Sequence, residues 1–203
     1  MEPALSLDDL DALFALADLG VRSGLAGRPA PKVDPTTLRP ALRQPAGVFV
    51  TLEVAGELNG CIGSIVPAEP LGTAVPRLAR AAAFDDPRLP ALTPADYPSL
   101  EIKLSVIGPL EPVAAASEAE LAVNLRPGVD GVLIRCGAAN ATFLPGVWEK
   151  LPDPVTFLRH LEDKAGLRPG QWPRDMQAWR YSTAEYRRKA VECAPLQTRA
   201  SSW

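Results

Sequence analysis

The residues with the clearest capacity for chemistry lie in Gly60-Cys61-Ile62-Gly63, within the stretch GVFVTLEVAGELNGCIG that begins at Gly47. Glycine in a strand loses the most backbone entropy and packs nothing. A glycine on each side of one cysteine therefore predicts a bulge, or a close approach by another backbone or a ligand. A thiol held there would act as a nucleophile or a redox group. The thiolate is the reactive form, and it needs nearby positive charge or helix-end dipoles. Backbone N–H groups from Asn59 to Gly63 are expected to stand ready for an anion. The bland alternative for Cys61 is a small packing residue where only small groups fit. His160, the one histidine, is the candidate general base. It sits between Leu158 and Leu161 in a helical pattern, where a structural histidine is the competing reading.

Asp86-Pro87-Arg88 is the second constellation. Proline drives the residue before it out of the helical region, so Asp86 ends a helix. Arg88 either pairs with Asp86 to hold the loop or offers a forked guanidinium to an anionic ligand. Glu101 and Lys103 alternate with the apolar residues of a strand and point away from its core face. Phe143 and Trp148 are candidates to line an apolar pocket, with core packing as the alternative. Asp130, between Val129 and Gly131, is expected to stabilise a turn.

The elements that must position these residues follow from periodicity. Ser6 caps a helix with Asp8 and Asp9 in its first turn and Leu7, Leu10, Phe14, Ala17 and Val21 at helical spacing, ended by Gly24 or Gly27. Residues 28–46 contain five prolines and predict an extended, partly polyproline-like connector over the surface. A hairpin turning at Ala55-Gly56 comes next. A helix over 72–84 has Thr73 as its cap, with Pro76 tolerable only in the first turn. Leu100 to Val106 is a half-buried strand. Ser117 to Glu120 opens a short helix, and Gly131 to Cys136 forms a second hairpin with Ala141 to Leu144. Pro154 to Ala165 is a helix closed by Gly166. Ala178 to Tyr186 reads as one last strand, and 191–203 as a flexible tail. The expected fold is α+β, a mainly antiparallel sheet flanked by helices.

Leu58-Asn59-Gly60-Cys61-Ile62-Gly63 resembles the Leu-Arg-Gly-Cys-Ile-Gly signature of the A component of the AmmeMemoRadiSam system. The likeness continues through Ala83 to Arg88, Leu92-Thr93-Pro94, Leu100 to Val106, Pro127 to Val132, Ala141 to Pro145 with Trp148, and Lys164 to Leu167. It covers residues 5–190 as one family domain. The resemblance implies a main sheet domain with a smaller lobe. It also implies partnership with a Memo-like protein and a radical S-adenosylmethionine enzyme, and it names no cofactor. Asn59 stands where the family has arginine, so charge near Cys61 must come from elsewhere, with Arg88 as the candidate. The resulting expectation is an enzyme or enzyme component of a modification system. Cys61 would be its nucleophile and His160 its base. Asn59, Gly60, Gly63, Asp86, Arg88, Glu101, Phe143 and Trp148 would bind a small-molecule or macromolecular substrate. The alternative is a non-catalytic ligand- or protein-binding adaptor using the same groove.

Composition narrows the field further. With 21 basic against 24 acidic residues and a net charge of −3, nothing favours nucleic acid or an anionic membrane as the main partner. No run nears the roughly 18 apolar residues of a membrane span. The first residues carry acids where a secretion signal carries basic ones, so the expected address is cytoplasmic. Three cysteines without CxxC spacing and a single histidine predict neither a disulfide framework nor a zinc site. Phosphate-loop, dinucleotide-turn, HExxH and GxSxG motifs are missing.

Overall fold

The computed structural model describes residues 5–193. Of the flexible tail expected over 191–203, residues 191–193 are instead part of the fold, in a 3-10 turn and the core contact of Cys193, and 194–203 lie outside the described residues. The described residues divide into two compact units, one formed by 5–107 together with 184–193, the other by Gly108–Thr183.

The first unit is built on helix α1 (Leu7–Leu25), where Ser6 and Asp9 form a reciprocal capping box. Its buried stripe starts later than the spacing predicts. Leu13, Phe14, Ala17 and Val21 are buried, while Leu7 is 79% exposed. Gly24 stays helical, and Gly27, with φ +66°, follows the helix end. Strands β1 (Val48–Val54) and β2 (Glu57–Ser64) form the expected hairpin, with Ala55 and Gly56 both at positive φ as a tight hairpin turn requires. Helix α2 (Leu71–Phe84) corrects two expectations. Pro70, not Thr73, occupies its N-cap, and Pro76 lies in the helix interior. There the proline removes a helical hydrogen bond, but the segment is fixed by packing: Ala74, Val75, Leu78, Ala79, Ala82 and Ala83 are all buried.

The two helices touch backbone to backbone. A Cβ added to Gly20 would stand 2.1 Å from the Pro76 carbonyl oxygen, and one on Gly24 would enter the Phe84 ring. Residues 28–46 are likewise more than a surface connector. Two short 3-10 turns, Pro35–Thr37 and Pro40–Arg43, lower Leu38 and Leu42 into the core. Strand β3 (Leu100–Ile107) pairs antiparallel with β1.

The second unit holds strands β4 (Glu111–Val113), β5 (Gly131–Cys136) and β6 (Ala139–Phe143), and helices α3 (Glu118–Asn124) and α4 (Pro154–Lys164). The last strand expected over 178–186 is two. Strand β7 (Gln177–Tyr181) and strand β8 (Thr183–Lys189) break at Ser182 and join different sheets. The first sheet has the order β2-β1-β3-β8 and the second β4-β7-β5-β6. Described pairings are antiparallel and helices flank the strands, so the fold is α+β. Among the described residues no helix is long and apolar enough to cross a membrane. After β8 a 3-10 turn, Ala190–Glu192, leads to Cys193, which is buried in the first core.

The Gly20 contact yields a test. Gly20→Ala gains roughly 1 kcal/mol of helix propensity, yet its methyl meets backbone that cannot rotate away. We expect a net loss of about 1–2 kcal/mol from overpacking, seen as a lower urea midpoint with an unchanged slope. Gly146→Ala, which points into open space, should leave the midpoint in place.

Candidate functional site

Strand β2 is an edge strand, and its outer side would leave backbone N–H and C=O groups unpaired. At Cys61 these groups are taken by side chains. Asp86 Oδ2 accepts the Cys61 N–H at 2.9 Å, and Arg88 Nη2 donates to the Cys61 carbonyl at 3.1 Å. The two side chains also grip each other. Arg88 Nε donates to Asp86 Oδ1 at 2.8 Å and Nη2 to Oδ2 at 2.6 Å, while the Arg88 backbone N–H reaches Oδ1 at 3.1 Å. The Asp86-Pro87-Arg88 turn thus does the hydrogen bonding of a short extra strand. The Asp86 side chain is 1% exposed and that of Arg88 is 62% exposed. The Arg88 guanidinium holds the Asp86 carboxyl well below the usual carboxylate range. The Cys61 and Arg88 N–H groups help, and together they outweigh the effect of burial.

The flanking glycines have separate reasons. A Cβ on Gly60 would stand 1.8 Å from the Ala82 carbonyl oxygen, so Gly60 lets α2 lie against the sheet. A Cβ on Gly63 would meet the Val48 carbonyl oxygen at 2.4 Å and the Phe49 side chain at 2.5 Å. Asn59 is a bulge. The register steps from Leu52 opposite Gly60 to Glu53 opposite Leu58 and leaves Asn59 without a partner, its amide reaching toward the Pro90 carbonyl at 3.4 Å. Both meanings of a strand glycine read from the sequence are therefore present. Of the N–H groups expected to stand ready for an anion, that of Cys61 is already bound to Asp86.

Val48, Val50 and Leu52 point into the core with Leu100, Ile102, Leu104 and Val106, so the alternate residues form the opposite face. On that face Cys61, Thr51 and Lys103 lie side by side on β2, β1 and β3. Thr51 Oγ1 lies 3.2 Å from Cys61 Sγ, and Lys103 Nζ pairs with Glu185 Oε2 at 2.9 Å. The next row holds Glu53 and Glu101, with Arg187 Nη1 at 3.4 Å from Glu101. Cys61 is half-buried and its thiol is free.

Asn59, Gly60, Cys61, Gly63, Asp86, Arg88 and Glu101 thus fall in one unit, while His160, Phe143 and Trp148 fall in the other. His160 is exposed on α4. Trp148 is 3% exposed, stacked on Phe157 with ring centroids 3.8 Å apart, and donates its indole N–H to the Asp130 carbonyl at 2.7 Å. Phe143 meets Phe157 edge-on. Both aromatics pack the second core. Asp130 is fully buried and accepts from Arg126, the turn role expected of it. Thr51 and Glu185 are the residues sequence reasoning left out. Alternation placed Thr51 off the core face, but only the register sets it beside the thiol. Among the described residues no three His, Cys, Asp or Glu side chains are grouped to hold a metal.

An α+β protein whose edge strand carries Gly-Cys-Ile-Gly under an Asp-Pro-Arg clamp defines the class. The AMMECR1 family profile matches residues 15–186, and the chain belongs to that family. It is 37% identical over 166 residues to a protein of Methanothermobacter thermautotrophicus, covering 81% of this chain and 86% of that one. It is 38% identical over 153 residues to a protein of Thermofilum pendens, covering 68% and 70% respectively. The crystal structure of the uncharacterised protein PH0010 from Pyrococcus horikoshii matches with a TM-score of 0.80 at 27% identity, over 91% of this chain and 94% of that one.

Removing the clamp gives a prediction. Asp86→Ala leaves the Cys61 N–H and the Arg88 guanidinium without their acceptor and should cost about 1–3 kcal/mol, read by urea unfolding at neutral pH. The folded carboxyl titrates below its unfolded value of about 3.9. Its contribution is therefore complete above that value and is lost as pH falls through the folded pKa. Asp86→Asn should accordingly flatten the acid limb of the stability profile.

Proposed function

We propose that this chain is an enzyme, or an enzyme component of a modification system, that works through the Cys61 thiol. The observation that carries this reading is an asymmetry at one residue. Both backbone groups of Cys61 are pinned by Asp86 and Arg88, while its side chain stays half-exposed beside the Thr51 hydroxyl. A fixed yet accessible thiol suits covalent chemistry on an acyl-type substrate. The thiol proton leaves to solvent, the sulfur attacks the acyl carbon, and the S–C bond forms as the leaving group departs with the bonding pair. His160 takes no part in this reading. A Memo-like protein and a radical S-adenosylmethionine enzyme, implied by the family resemblance, are the partners that go with it.

One observation favours a second reading. Arg88, Lys103 and Arg187 at this face are each ion-paired, to Asp86, Glu185 and Glu101. That arrangement suits a non-catalytic adaptor that binds a ligand or protein through the same face.

Alkylation of the folded protein across pH, read by mass spectrometry, separates the two. Cys193 is an internal control, because burial pushes its thiol up to about 11. Cys136 is a second, raised by burial and by the Asp175 carboxylate beside it. Cys61 should label in the folded protein ahead of both, and Cys61→Ser should abolish a covalent adduct with a simple thioester while leaving the unfolding midpoint within about 0.5 kcal/mol of the parent. Labelling of Cys61 only upon unfolding would sink the nucleophile reading in favour of the adaptor.

A further inference from the structure

Helix α1 packs on the core side of the first unit, away from the Cys61 face. At its last turn lies a hollow of about 390 Å³ lined by Arg22, Leu25, Ala26, Pro94 and Tyr97, all within the first unit. Small-molecule sites have this size and this make-up, apolar walls with a few placed polar groups. The arginine is held from behind. Arg22 Nε lies 2.8 Å from Asp18 Oδ2 and donates to the Tyr97 hydroxyl at 2.9 Å, and its Cζ stands 5.1 Å from the Tyr97 ring centroid. The Tyr97 hydroxyl donates in turn to Asp18 Oδ1 at 2.5 Å. Burial, with the Asp18 carboxylate beside it, pushes that hydroxyl up to about 12, so it stays a donor at neutral pH. The Asp18 side chain is 6% exposed and that of Arg22 is 56% exposed.

An arginine in a final helical turn complements the helix dipole with its charge alone. Here a buried carboxylate, a hydroxyl and a ring also fix its orientation. Among the described residues neither Nη nitrogen of Arg22 has a hydrogen-bond partner. A planar fork is thus anchored at Nε and left open at its two terminal nitrogens, next to apolar walls.

We propose that this hollow binds a small monocarboxylate with an apolar body. The carboxylate accepts from Nη1 and Nη2 of Arg22, and the body lies against Leu25, Ala26, Pro94 and Tyr97. Two coplanar donors match the two oxygens of a carboxylate. A phosphate brings more charge and more acceptor oxygens than one fork serves, and Asp18 already offsets part of that fork's charge. A wholly apolar ligand leaves the fork unpaired. The site shares no residue with the Cys61 reading and does not depend on it.

The test is NMR titration of the full-length, isotopically labelled chain with phenylacetate, phenethyl alcohol and inorganic phosphate. The shifts are read at the Arg22 Nε–H and at the Leu25 and Ala26 amides. Phenylacetate should shift all three saturably. Phenethyl alcohol should bind about tenfold more weakly, because it gives up the charge-assisted pair of hydrogen bonds, and phosphate should not saturate these groups. Arg22→Lys keeps the charge and loses the fork, and should weaken phenylacetate by about tenfold, read at the two amides. That variant also disturbs the Asp18 and Tyr97 contacts, so Pro94→Glu supplies a second check. Pro94 is exposed, and a carboxylate there sets like charge against the ligand without removing the anchor of Arg22. It should weaken phenylacetate while leaving the urea midpoint in place. Absence of a saturable shift, equal affinity for phenethyl alcohol, or saturation by phosphate overturns the proposal. Binding that survives Arg22→Lys or Pro94→Glu overturns it as well.

Discussion

The contact between the Asp86-Arg88 pair and the backbone of Cys61 is the constraint on which the first unit's site depends. An edge strand needs some way to satisfy its outer N–H and C=O groups, and here one carboxylate and one guanidinium do it together. The pair reaches its place because α2 ends at Phe84 and the following proline directs the chain back along β2. The same contact fixes Cys61 without covering its sulfur. Protection of the edge and presentation of the thiol come from one interaction.

Close packing of backbones is what brings the clamp near. Gly60 admits α2 against the sheet at Ala82, and Gly20 admits α1 against α2 at Pro76. An interior proline is tolerated in α2 because the helix is held by burial along its length and not by every internal bond. Side chains at either glycine would push α2 outward, and the Asp86 turn would move with it.

Membership of the AMMECR1 family and the shared fold with the Pyrococcus protein account for the architecture. They leave the chemistry to the residues. The first unit offers a thiol, a hydroxyl, an ammonium and a carboxylate in succession across four strands, with the ammonium and carboxylate neutralising each other. That arrangement positions a cysteine more clearly than it activates one, so reactivity of the thiol is the quantity that decides between catalysis and adhesion.

Much of the fold was legible in the sequence because its causes are local. Ser6 and Ser117 cap helices through contacts within one turn, and Gly166 at φ +75° follows the end of α4. Alternation marked β1 and β3, turn residues marked the two hairpins, and the α+β class followed from hairpins interspersed with helices. The same local signals could not show that Pro76 would be carried inside a helix, that Ser182 would divide one β-like run between two sheets, or that Phe143 and Trp148 would pack a core. Those outcomes rest on burial and pairing between distant segments. Cys61 was marked by its glycines, but the placing of Asp86, Arg88 and Thr51 around it came from strand register and from the return of the chain after α2. Register and chain return are set by the packed tertiary structure, because a period-two pattern specifies which face a residue takes and leaves open which neighbour it meets.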